Sequence, residues 1–113
     1  MNIQIFGSKK SNDSKKAERW FKERRIRYQM IDMKEKGMSR GELTSVMQAV
    51  GGLDALLDPD AKDKDTLVLL QYLTEDAKLE KVLENPQLLR TPVVRNGKKA
   101  TVGYTPEIWD SWE

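Results

Sequence analysis

The sequence predicts an α/β fold in which a four-stranded mixed sheet is flanked by helices, laid down as β-α-β, a helical insert and β-β-α. Three stretches carry this reading. Residues 2–6 alternate polar and apolar and stop at Gly7, the period of a half-buried strand ending in a turn. From Ser14 onward Ala17, Trp20, Phe21 and the stem of Arg24 recur at helical spacing. Lys15, Lys16, Arg19, Lys22 and Glu23 occupy the other side, which predicts an amphipathic helix to about Arg25. Near the other end "PVVR" (92–95), Asn96-Gly97 and "KATV" (99–102) form a hairpin signal, because Asn-Gly tolerates the positive φ angles of a type I′ turn.

The remaining elements follow in order. Tyr28, Met30 and Ile31 make a second strand, and residues 32–37 a loop. Ser39 and Glu42 have the spacing of a capping box, in which each side chain satisfies a free backbone donor of the other. Leu43, Val46, Met47 and Val50 then repeat at i, i+3, i+4 and i+7, a helix that Gly51-Gly52 ends. The stretch "LDALLDPDAKDKD" is a polar connection with one helical turn. Two short helices follow, Thr66 to Leu73 and Thr74 to Leu83, the second capped by Thr74 with Glu75 and Asp76 in its first turn. Asn85-Pro86 breaks the pattern. Thr105 supplies an N-cap and Pro106 the first helical position of a closing helix that carries Ile108, Trp109 and Trp112. With an insert over about 39–89, a right-handed β-α-β unit followed by a hairpin and a closing helix is the thioredoxin-like arrangement.

Composition narrows the chemistry. The 113 residues are expected to form one domain, 1–113, and the 38% hydrophobic and 34% charged fractions describe a soluble globular chain. No stretch approaches the ~20 apolar residues that span a bilayer, and Met1-Asn2-Ile3 opens into a strand pattern, so a cytoplasmic location without membrane contact is expected. Cysteine and histidine are absent, which excludes disulfides, thiolate catalysis and a Ser-His-Asp site in the chain as written. Asp58, Asp60, Asp63 and Asp65 lack the central glycine and terminal glutamate of a calcium loop, so no metal is assigned. The net charge is +2. Glu18 and Glu23 interrupt the cations from Lys15 to Arg27, so these read as a solvated helix face and no direct nucleic-acid binding is expected. The tryptophans read as packing residues.

The segment Ser11-Asn12-Asp13-Ser14-Lys15-Lys16-Ala17, with Arg19-Trp20-Phe21 and "YQMID" after it, resembles the first strand, redox loop and helix of the ArsC/Spx family, the arsenate-reductase-like branch of thioredoxin-fold proteins. "NPQLLRTPVVRNGKKATVGY" (85–104) is similar to that family's Leu-Leu-Arg-x-Pro segment, hairpin and Val-Gly-Tyr. The resemblance spans the chain. It places Ser11 at the family's nucleophile position and Ser14 at the second cysteine of Cys-x-x-Cys. It implies an anion or substrate site at Lys10, Lys15, Arg90, Thr91 and Pro92, with Pro92 in a cis peptide opposite the Ser11 loop. A helix N-terminus lowers a thiol pKa into the physiological range, but a serine hydroxyl starts too high for that dipole to ionise it. The residue before the proline, an arginine in arsenate reductases, is Thr91 here, and Arg90 lies one place earlier.

The expectation is therefore an arsenate reductase-like, thiol-oxidoreductase-type protein that is redox-inactive as written. Either the gene encodes serine at 11 and 14 or cysteine was exchanged for serine there. By resemblance the reductant would be glutathione or a thioredoxin-type protein, with no bound cofactor, and the chain a monomer. The alternative is a binding module like the Spx regulators, which dock on RNA polymerase. Its partner surface would involve the insert around Gly51-Gly52 and the basic first helix.

Overall fold

The alternating register of the first strand decides how the molecule is layered. In the computed structural model, which describes residues 1–112, β1 (Ile3–Gly7) sends Ile3 and Ile5 to one face and Phe6 to the other, all buried. β1 pairs in parallel with β2 (Tyr28–Asp32) and antiparallel with β3 (Val93–Asn96), which pairs antiparallel with β4 (Lys99–Val102). The sheet order β2-β1-β3-β4 is the thioredoxin-like arrangement that the sequence predicts. α1 (Asn12–Glu23) and α5 (Pro106–Asp110) cover the Ile3/Ile5 face, where Ala17, Trp20, Phe21, Val94 and Trp109 form one core.

The other face carries the insert. α2 (Arg40–Val50), α3 (Lys64–Leu70) and α4 (Glu75–Glu84), with 3-10 turns at Asp54–Leu56 and Pro86–Leu88, pack Leu43, Val46, Leu56, Leu70, Val82 and Leu88 against Phe6 and Val93. The capping box forms as the spacing predicts: Ser39 accepts from the Glu42 amide at 3.1 Å and Glu42 from the Ser39 amide at 2.9 Å. Gly51 ends α2 in the left-handed region with φ of 95°.

Local departures have identifiable causes. α1 begins at Asn12 and ends at Glu23, short of Arg25, because Ser11 caps it and Arg25 turns the chain at φ of 58°. α3 begins at Lys64 rather than Thr66, because Asp63 accepts from the Thr66 amide at 3.2 Å and the Thr66 hydroxyl at 2.7 Å. These bonds hold the Asp63 carboxyl below the usual carboxylate range. The hairpin is shifted by one residue. Asn96 pairs with Lys99, so the loop is Gly97-Lys98 rather than Asn96-Gly97. Of the two loop residues only Gly97 has a positive φ, 61°, the pattern of a type II′ turn instead of the predicted I′. Asn96 is kept in the strand and its side chain accepts from the Asn2 amide at 3.2 Å. Thr105 precedes α5, as predicted, but caps it through its carbonyl, which accepts from the Ile108 amide at 3.0 Å. Its hydroxyl is buried without a partner among the described residues.

Candidate functional site

The end of β1 and the start of α1 meet where Gly7 lies against the side chain of Ser14. Gly7 closes the strand, and a Cβ there would stand 2.7 Å from Ser14 Oγ and 2.8 Å from Met30 Cε. Only a residue without a side chain lets the first turn of α1 approach this closely. The chain then crosses to Ser11, whose amide donates to the Ser8 carbonyl at 3.1 Å. Ser11 has an extended backbone, φ −87° and ψ 119°, and its hydroxyl oxygen accepts from the Ser14 amide at 3.1 Å, the geometry of an N-cap.

The two serines therefore differ in kind. Ser14 is 1% exposed, and its oxygen accepts from the Ser8 amide at 3.2 Å, pinning the loop from inside. Ser11 is half-buried at the mouth of the loop. Thr91 and Pro92 are joined by a cis peptide, Pro92 is buried, and its carbonyl accepts from the Gly103 amide at 2.8 Å.

The remaining candidates divide among three clefts. Lys10 and Thr91 share one of about 670 Å³, together with Ser8, Lys34, Asp58 and Glu84. Lys15 lines a smaller one of about 220 Å³ beside Ser14, Glu18 and Asp32. Arg90 lines neither, but a third cleft of about 550 Å³ among the insert helices with Asp54, Leu67 and Lys78. The cleft that Ser8, Lys10 and Thr91 line therefore pairs two cations, Lys10 and Lys34, with two carboxylates, Asp58 and Glu84. Such a wall suits a dipolar or zwitterionic group better than a compact oxyanion, which wants cations alone. Sequence reasoning did not single out Lys34 or Glu84, since they come from loop and helix-end positions that only the fold brings together.

A family model described as the ArsC family matches residues 6–112. The chain belongs to the ArsC family. Among curated proteins this ArsC-family chain is 29% identical over 106 residues to the global transcriptional regulator Spx 2 of Oceanobacillus iheyensis, covering 92% of the chain and 78% of the regulator. It is 28% identical over 94 residues to the regulatory protein MgsR of Bacillus subtilis, covering 81% of the chain and 75% of MgsR. Among solved structures it resembles the arsenate reductase from Vibrio cholerae with a TM-score of 0.83 and 25% identity, over 96% of this chain and 94% of that one. Among the described residues no helix of the ArsC-family chain is long and apolar enough to cross a membrane.

Proposed function

We propose that the chain is a thiol-oxidoreductase-type member of the ArsC family that keeps the frame of the redox site but is redox-inactive as written. The observation behind this reading is the position of Ser11, half-buried at the N-terminus of the twelve-residue α1 and next to Lys10. Unpaired amides and a nearby lysine at such a place favour a thiolate by several pKa units. They do not ionise a hydroxyl whose own pKa lies far above that range. A glutathione-type or thioredoxin-type reductant would meet a thiol at Ser11 at the mouth of the loop, where the neighbouring Ser8 and Lys10 line a cleft with Thr91. Arsenate is a poor fit, because Arg90 lies in a different cleft and Asp58 and Glu84 oppose an oxyanion.

The test is Ser11→Cys, read by the pH dependence of alkylation and by exchange with oxidised glutathione, whose disulfide the thiolate attacks to form a mixed disulfide and release one glutathione thiolate. A lowered thiol pKa with mixed-disulfide formation, against an inert wild type, is the expected result. An ordinary thiol pKa and no exchange with oxidised glutathione would sink the reading.

A second reading is favoured by the names of the curated relatives, both regulators. In it the chain is a binding module that docks on RNA polymerase through α1 and the Gly51-Gly52 corner, where φ is 95° and 131° and nothing lies within 4 Å of an added Cβ. Direct binding to purified polymerase supports it, and no binding at saturating concentration removes it.

A further inference from the structure

The junction between α1 and β2 concentrates unpaired charge beside an open sheet edge. α1 ends in a Schellman motif: the Ile26 amide donates to the Phe21 carbonyl at 3.0 Å and the Arg25 amide to the Lys22 carbonyl at 3.1 Å. The residue that takes the left-handed conformation there is Arg25, at φ of 58°, where glycine is the usual occupant and a side chain is strained. A shallow pocket of about 430 Å³ opens at this corner, lined by Lys22, Arg25, Ile26, Arg27 and Tyr28. Its three cations are exposed, and none has a carboxylate partner among the ion pairs of the described residues. Arg24 is different. It stacks 3.9 Å over Trp20 and donates to the Trp20 carbonyl, so it is committed to the fold.

The same corner starts β2, which pairs with β1 on one side only and is the edge of the sheet. The strand reads Tyr-Gln-Met-Ile-Asp over 28–32. It carries neither the lysine nor the proline by which edge strands commonly block pairing. At the opposite edge, β4 packs against α2.

From the open β2 edge and the unpaired cations at its start, we infer that this corner is a docking site for an acidic, extended segment of a protein partner. The segment adds as a strand along Tyr28–Ile31. Its carboxylates meet Lys22, Arg25 and Arg27, and an apolar side chain lies on Ile26 and Tyr28. Backbone pairing supplies affinity, and the charges select an acidic sequence. Edge pairing argues for a peptide over a nucleic acid, because a duplex has no backbone amides and carbonyls to continue the ladder of the open β2 strand. The inference does not depend on the state of Ser11.

The experiment titrates the full chain into a labelled peptide of alternating Glu and Val, its backbone N-methylated counterpart, and a short DNA duplex. Binding of the unmodified peptide alone is expected, with slowed hydrogen exchange of β2 amides. Arg27→Gln is expected to weaken it several-fold and Arg25→Gly by a similar factor, the pair reaching about tenfold. Arg25→Gly relieves the left-handed strain, so its melting temperature is unchanged or raised while binding falls, a combination that loss of fold does not produce. Equal binding by the N-methylated peptide, unchanged affinity in both variants, no peptide binding, or preference for the duplex would each overturn the inference.

Discussion

The hydroxyl oxygen of Ser14 lies 2.7 Å from where a Cβ on Gly7 would stand. This relationship couples the end of β1 to the start of α1 and so fixes the loop that presents Ser11. Gly7→Ala forces Ser14, whose own Cβ is only 3.0 Å away, and the tip of Met30 to give way. Met30 has a flexible end and moves cheaply, but Ser14 is buried and bonded to the Ser8 amide. The expected loss is about 1–3 kcal/mol, as for other overpacked interiors. Urea unfolding checks it, and a change under 0.5 kcal/mol would show that the loop relaxes freely.

The same geometry separates the two serines chemically. A thiol placed by Ser11→Cys sits half-buried at a helix N-terminus, where the thiolate is favoured. A thiol placed by Ser14→Cys is enclosed against Gly7 and reacts only when the loop opens. Reaction with a chromogenic disulfide at neutral pH is expected to be at least about tenfold faster for the first variant. Equal rates would mean that the loop opens readily and that burial of Ser14 does not limit access.

What was legible in the sequence and what was not follows from the range of the forces. Ser39, Glu42 and Gly51 act within one turn of helix, and each does in space what its spacing predicts. The β1-β2 and β3-β4 pairings rest on alternation and short connections, while β3 beside β1 joins strands separated by the whole insert and follows from the thioredoxin-like arrangement. The hairpin shifted by a residue because Asn96 is held by Asn2, its distant neighbour across the sheet. α3 starts early because a carboxylate from the acidic connection, Asp63, outcompetes a later start. The spread of Lys10, Lys15 and Arg90 over three clefts depends on how the insert lies against the sheet, and no periodicity in the insert carries that information.

Thr101 and Trp109 offer a further test of the α5 side of the sheet. The indole N–H of Trp109 donates to the Thr101 hydroxyl at 2.7 Å, with both residues buried. Thr101→Val keeps the shape and removes the acceptor, leaving the indole N–H unpaired in the interior. The expected cost is about 1–3 kcal/mol. Thermal unfolding with Trp fluorescence reads both the loss and the altered surroundings of Trp109, and a variant as stable as wild type would mean that the indole finds another acceptor.

Tyr28 carries a prediction with a defined pH window. Its hydroxyl donates to Glu18 at 2.8 Å, bridging β2 to α1. Burial, then this bond and the Glu18 charge, push its pKa from 10.0 up to about 12. A group whose folded pKa is raised stabilises the fold fully below the unfolded pKa, and that contribution fades as pH rises through the folded value. The tie is therefore intact at neutral pH and fails between pH 10 and about 12. Tyr28→Phe removes it at every pH, with an expected cost of about 1 kcal/mol at pH 7. In urea titrations the wild-type advantage over Tyr28→Phe is expected to be flat to pH 10 and to shrink above it. A difference that stays constant through pH 12 would show that the phenol is not held by Glu18.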